Sequence, residues 1–224
     1  SCTIGQQRRT NYALQDMTKE AFVSVVTAGQ RPAPQYFGHD AALNKRERPL
    51  LKETLAQALR PLSIEEALAA QAEGAVLLDT RDGDAFAAGF LPGAIFVGLG
   101  GRFASWVGTV ISPDAELVLI SESGTEEEAV TRLGRIGYDK VRGFLEDPAQ
   151  ALAGRGDLER VQRVDAASLA AILGGEGEVA VIDVRAEGEF EAGRIAGALN
   201  LPLQRPEEMA AAAPHQARTS RLPR

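Results

Sequence analysis

Apolar and polar positions follow two regimes along this chain. In residues 1–60 apolar residues come singly or at helical spacing between polar and Pro-rich stretches, whereas from Leu62 onward short uninterrupted apolar runs recur between Gly, Pro and acidic residues. Residues 1–16 read as a polar segment whose one apolar cluster, Tyr12, Ala13 and Leu14, is too small to fold alone. Thr18 then stands before Lys19–Val26, where Phe22, Val25 and Val26 share a helical face and the Thr hydroxyl can cap free amides. That helix is expected to end near Ala28 and Gly29. Pro32 and Pro34 each remove a backbone donor, so the chain after it is extended or irregular. A short helix is expected at 39–46, and Leu50–Leu59 is a helical connector closed by Arg60 and Pro61.

The second regime is more regular. Ser63 with Glu66 three residues on is a reciprocal capping pair, and Ile64, Ala67 and Leu68 cover one face of the helix it starts. Ala75–Asp79 is apolar on both faces, the mark of a central strand in a parallel sheet covered by helices. There follow a short helix over 82–88, a turn at Pro92-Gly93-Ala94, a strand at 94–97 and a Gly-interrupted stretch over 98–110 holding Trp106. Next come a strand at 116–120, the loop Ser121–Gly124, a helix over 125–134 with Ala129, Val130 and Leu133 inward, and a strand at 138–144. This order predicts a small α/β domain, a central parallel sheet flanked by helices, preceded by a mostly helical or irregular segment.

An internal repeat organises the rest. Asp79, Arg81, Phe86, Gly89, Gly93 and Ala94 recur as Asp183, Arg185, Phe190, Gly193, Gly197 and Ala198, always 104 residues on. The buried strand recurs too, as Val179–Asp183. The first copy needs residues 95–148 to complete its sheet, and the sequence after 200 offers no strand to match. The second copy therefore reads as the amino-terminal half of a domain, with an apolar strand that needs a partner surface. The expected segments are 1–59, 60–153 and 154–224.

Composition narrows the chemistry. One Cys excludes a disulfide framework and a four-thiolate metal site, and two His, at 39 and 215, are too few for a histidine-based centre, so no cofactor is expected in this chain. The net charge is −7, and it is uneven: residues 61–205 carry 12 Lys and Arg against 24 Asp and Glu. With 12 aromatics and this acidic surface, a nucleic-acid partner is not expected. No run approaches 18 apolar residues, so no membrane span is expected, and a cytoplasmic location is the default. A start without Met fits a processed or excised piece.

The pattern Asp183-Val184-Arg185, Glu189-Phe190, Gly193-Arg194-Ile195, Gly197-Ala198, Asn200-Leu201-Pro202 resembles the rhodanese family of sulfurtransferase-like domains, with a paler version over 79–94. The resemblance implies that Asp183 bonds turn backbone and that Arg185 pairs with Glu189. In the first copy Asp79 and Arg81 remain, but Ala85 replaces the acid, leaving Asp84 as the nearest substitute. Thr3-Ile4-Gly5, Arg8–Tyr12, Thr18–Phe22 and Tyr36-Phe37 resemble the carboxy-terminal end of metallo-β-lactamase-fold hydrolases that precede tandem rhodanese domains, a group with persulfide-dioxygenase-like members. This implies a parent protein whose zinc or iron ligands lie upstream, and whose partners for this chain are the upstream hydrolase domain and the rest of the second rhodanese domain. A homo-oligomer is a further way to cover the open strand.

The family places a Cys after the third central strand, where loop amides and a helix amino-terminus stabilise a thiolate that carries sulfane sulfur. By register that position is Ser121, and the loop runs Glu122-Ser123-Gly124-Thr125-Glu126, with acids where the family has a cation. A hydroxyl forms no persulfide and is not deprotonated near neutrality without a base. The first copy is therefore expected to have no catalytic residue, and Asp79, Arg81, Asp183, Arg185 and Glu189 to be structural. Cys2 is expected to be incidental, and Arg102 with Trp106 to mark an interface. Sulfur transfer in the intact parent, hydrolase or dioxygenase chemistry upstream, and ester hydrolysis at Ser121 are the alternatives.

Overall fold

The computed structural model of the chain describes residues 2–28, 51–175, 179–203 and 205. The helix expected at 39–46 and both His residues lie outside them. Two compact units are present, divided after Ala33.

The first unit holds α1 (Ile4–Thr10), a 3-10 turn (Tyr12–Leu14) and α2 (Lys19–Thr27), none with a buried residue. Thr18 caps α2 as expected, its hydroxyl accepting from Ala21 N–H at 3.2 Å. Helix α1 forms within the polar segment 1–16, to which the sequence reading assigned no element. Thr3 accepts from Gln6 N–H at 3.2 Å, and Arg8 and Arg9 lie at the helix's negative end. Local capping builds this helix without the apolar face that periodicity looks for.

In the second unit α3 (Leu51–Ala58) leads into β1 (Pro61–Leu62), α4 (Ile64–Ala72), β2 (Val76–Asp79), α5 (Gly83–Ala88) and β3 (Ile95–Phe96). After these come α6 (Phe103–Val110), β4 (Leu117–Ile120), α7 (Glu126–Gly134), β5 (Val141–Leu145) and α8 (Pro148–Leu152). The sheet is wholly parallel, in the order β1-β5-β4-β2-β3. Its central pair aligns Val76 with Leu117 through Asp79 with Ile120. Alternate residues feed two cores. Leu78, Leu117 and Leu119 meet Phe103, Val107, Val130 and Leu133 on one side, while Leu77, Val118 and Ile120 meet Ala67, Ala70 and Leu91 on the other. Both faces are covered, which is why β4 is apolar throughout and β2 is apolar up to its last residue, Asp79.

The capping box of α4 is present: Glu66 N–H donates to Ser63 Oγ at 3.2 Å, and Ser63 N–H donates to the Glu66 carboxylate at 2.9 Å. Two expectations are corrected. Residues 103–110 form helix α6, packing Phe103 and Val107 into the core. Tyr138 precedes the last strand, which begins at Val141; the ring is buried and its hydroxyl donates to Ile111 O at 2.6 Å.

The chain after α8 lies along α5. Phe90 and Glu159 exchange two backbone hydrogen bonds of 3.0 Å, and Val161 N–H donates to Ala87 O at 3.1 Å. Beyond it α9 (Ala166–Leu173), β6 (Ile182–Asp183), α10 (Glu187–Ala192) and β7 (Leu199–Asn200) repeat the order of α4 to β3. Strands β6 and β7 pair in parallel as a separate two-stranded sheet, and none of these elements has a buried residue.

Candidate functional site

The site lies where the central strands end together. Because Asp79 sits beside Ile120, the next residues, Thr80 and Ser121, emerge side by side, and Thr80 N–H donates to Ile120 O at 2.9 Å. Their hydroxyls are 2.8 Å apart and hydrogen-bonded. Ser121 is fully buried. Its hydroxyl is thus engaged by another hydroxyl, and no imidazole or carboxylate among the described residues is bonded to it.

Beside Thr80 runs Arg81, folded back on its own turn. Its Nε and Nη2 donate to both oxygens of the buried Asp79 at 2.7–3.1 Å, and Nη2 also donates to Gly89 O at 3.0 Å. Asp79 accepts Arg81 N–H as well, at 3.1 Å. The guanidinium closes the turn between β2 and the end of α5. Asp84, the expected substitute acid, instead pairs with Arg163 of the following segment. The reason is position: Asp84 stands in the first turn of an exposed helix, whereas Asp79 ends the buried strand.

A cleft of about 380 Å³ opens over the strand ends, lined among others by Thr80, Asp82, Glu122, Thr125, Glu128 and Arg132. Ser121 is not in its wall. One loop amide is taken by a loop-end acid, Gly124 N–H donating to the Glu126 carboxylate at 2.8 Å, while the Glu122 carboxylate accepts Asp82 N–H of the neighbouring turn at 3.1 Å. Thr125 donates to Glu122 O through both N–H (3.0 Å) and hydroxyl (2.7 Å). Gly124 has φ +90°, the left-handed region that glycine enters without a Cβ penalty. Ser123 is exposed. The cation in the cleft, Arg132, donates to Leu99 O and Gly101 O, pairs with Glu128 and lies 5.2 Å over the Phe103 ring. An incoming anion meets three carboxylates that line the cleft, Asp82, Glu122 and Glu128, and two guanidiniums, Arg81 and Arg132, that are already engaged.

In the second copy the turn is rebuilt in water. Arg185 donates to both oxygens of Asp183 and, at 2.7 Å, to Gly193 O. The Arg185 hydrogen bonds hold the Asp183 carboxyl below its ordinary range, and Asp183 in turn raises Arg185, with Glu189 adding its charge. Glu189 accepts from Ala186 N–H at 3.4 Å at the start of α10. Thr80 has Val184 as its counterpart, so the hydroxyl pair is confined to the first copy.

Trp106 is half-buried and packs against the core, and Arg102 is exposed at the start of α6. Cys2 is exposed, its sulfur accepting from Gln7. Among the described residues no group of three or more His, Cys, Asp and Glu is placed to hold a metal ion, and no helix is long and apolar enough to cross a membrane. Sequence reasoning missed Thr80 and Arg132. The mismatch of Thr80 with Val184 inside an otherwise matched turn was a usable signal for the first; for the second the only local signal was the i,i+4 acid Glu128, since the carbonyls that place it, Leu99 O and Gly101 O, are over 30 residues away.

The model of the rhodanese-like domain matches residues 63–145 and again 165–222. The chain belongs to the rhodanese-like family, and carries two stretches of it. No curated protein matches. Among solved structures, a metallo-beta-lactamase from Staphylococcus aureus subsp. aureus COL is similar with a TM-score of 0.53 and 22% identity, over 64% of this chain and 40% of that one. The anaerobic ergothioneine biosynthesis enzyme from Chlorobium limicola matches with a TM-score of 0.39 and 19% identity, over 64% of this chain and 41% of that one. The Alr3790 protein from Anabaena sp. matches with 0.38 and 15%, over 50% and 87%. The chain thus spans about two fifths of the first two structures.

Proposed function

We propose that residues 60–153 form a non-catalytic rhodanese-like module with a structural or docking role in a sulfur-handling protein. The observation that supports this is Ser121: at the place where the family resemblance implies a sulfur-carrying thiolate stands a fully buried hydroxyl bonded to Thr80. Persulfide formation needs a thiolate that can leave its pocket and attack; this oxygen offers neither the sulfur nor the access. The loop acids add to the reading, because Glu126 takes the Gly124 amide that an anionic substrate would need.

In this reading residues 1–59 end an upstream metallo-β-lactamase-fold domain, which is supported by the similarity, at a TM-score of 0.53, to a metallo-beta-lactamase structure. Metal-dependent hydrolase or dioxygenase chemistry, and any sulfur transfer, then belong to the intact parent. The test is a thiosulfate:cyanide sulfurtransferase assay on this polypeptide and on Ser121→Ala. We expect no turnover from either. Substantial turnover in the unchanged chain that disappears in Ser121→Ala would overturn the proposal.

A further inference from the structure

The segment that joins the two copies of the repeat is bound to the first copy along its length. From Leu158 to Arg163 it runs antiparallel to α5, and each step of two residues meets a step of three on the other side. Glu159 and Phe90 exchange two backbone hydrogen bonds of 3.0 Å, Val161 N–H donates to Ala87 O at 3.1 Å, and Arg163 pairs with Asp84. Positions 84, 87 and 90 follow helical spacing, so one face of α5 and its continuation carries the segment. Leu158 fixes the near end. A Cβ on Gly89 would stand 3.0 Å from Leu158 Cδ1, so the glycine leaves a notch that the leucine fills while packing against the core that holds Leu77 and Leu91.

The element held in this way also builds one wall of the cleft. Gly89 offers its carbonyl to Arg81 Nη2 at 3.0 Å, and Arg81 lines the cleft. Phe86 stacks on Phe90 and on Phe96, with ring centroids 4.1 and 4.6 Å apart, and the Phe96 ring lies against Gly98 of the wall. Asp82 N–H, at the start of α5, donates to the Glu122 carboxylate at 3.1 Å and so ties α5 to the loop after β4. At its other end the segment leads into the second copy without slack. Val164 alone separates Arg163 from Asp165, which caps α9 by accepting Ser168 N–H at 2.7 Å.

We propose that residues 158–163 are a releasable strap through which movement of the second copy is felt at the cleft of the first. Three backbone hydrogen bonds and one leucine do most of the holding, because the Arg163–Asp84 pair is exposed and exposed pairs contribute little. Such a segment opens locally, well before the domain unfolds. Docked, it pins α5 and backs the Gly89 carbonyl that Arg81 grips. Drawn off with α9, it leaves α5, the Phe86 stack and the Arg81 clasp without that backing, and the cleft wall loosens.

The test is hydrogen exchange on the full 224-residue chain labelled with nitrogen-15, with the Leu119 amide of the central strand reporting global unfolding. We expect the amides of Phe90, Glu159 and Val161 to show protection within about threefold of one another and at least about tenfold below that of Leu119, as one local opening requires. Val161→Pro removes one strap donor. It is expected to lower protection at least about tenfold at Phe90 and Glu159, and at least about threefold at Asp82 N–H and Arg81 Nε–H, with Leu119 unchanged within about twofold. Leu158→Ala, which keeps every strap donor, is expected to move the same sites in the same direction by less. Loosening of Glu159 that leaves Arg81 Nε–H and Asp82 N–H unmoved overturns the proposal, since the strap would then not reach the cleft. Strap amides in the unchanged chain that match Leu119, or that show no protection, overturn it as well, and so does an equal fall at every site in both variants. These readouts involve no sulfur transfer, so they stand or fall apart from the assay on Ser121→Ala.

Discussion

Arg81→Met tests whether the turn at the end of β2 is structural. The change removes four hydrogen bonds, three to Asp79 and one to Gly89 O, and leaves the Asp79 carboxylate, which has no solvent exposure, with one backbone N–H as partner. Breaking a buried ion pair from one side costs about 3–5 kcal/mol, because the remaining charge keeps its desolvation penalty and loses its compensation. A domain of this size holds only about 5–15 kcal/mol in total, so the loss is easily read. The single Trp, at position 106, packs on the core of the first copy, and its fluorescence in a urea titration reports this unit. The double change Asp79→Leu with Arg81→Met removes both charges together and is expected to cost less than the sum of the two single changes. A single-variant loss below about 1 kcal/mol, or strict additivity in the double variant, would refute the reasoning, since either would mean that the pair is not acting as a desolvated unit.

Ser121→Cys is expected to leave thiosulfate:cyanide turnover undetectable, because the thiol would be buried and Glu126 still holds the Gly124 amide; a robust rate from the single change would refute this. Gly143→Ala is expected to destabilise the first copy by about 3 kcal/mol in the same urea assay: φ is +155°, and an added Cβ would lie 2.5 Å from Arg60 O and 2.8 Å from Leu62 Cγ, on the neighbouring β1 backbone and side chain. Ser63→Ala removes the cap of α4 and is expected to cost about 1 kcal/mol. At Asp165, hydrogen bonds from Ser168 hold the carboxyl below its ordinary range. A lowered folded-state value means the cap contributes fully above the unfolded-state value and is lost as pH falls through the folded one. The Ser168 amide resonance is therefore expected to move, and α9 to fray, only below about pH 4, and Asp165→Asn to remove that transition.

The strands were legible because both faces of β2 and β4 are covered, so their aliphatic runs of three and four residues had no competing interpretation. Helix α6 was hidden by Gly98, Gly100 and Gly101 just before it, which break local periodicity although Phe103 and Val107 are core residues. The register that places Ser121 at the strand end was readable from the apolar run alone. Its loss of access was not, for burial there depends on Thr80, 41 residues earlier, and on strand pairing that no local pattern encodes. Likewise Asp84 and Asp79 both lie within three residues of Arg81 in sequence, and the choice between them was made by which one the sheet buries.

The clasp between Asp183, Arg185 and Gly193 O closes with the same partners as its buried twin, although Arg185 is nearly half open to solvent and no interior surrounds it. Its geometry is accordingly held within residues 183–200, where Asn200 also donates to Asp183 O and Arg185 O at 2.9 and 3.0 Å, and does not depend on a five-stranded sheet. The corner is thus a local unit that a single neighbouring strand suffices to close, and in the first copy the interior covers a bend that the same local contacts already specify.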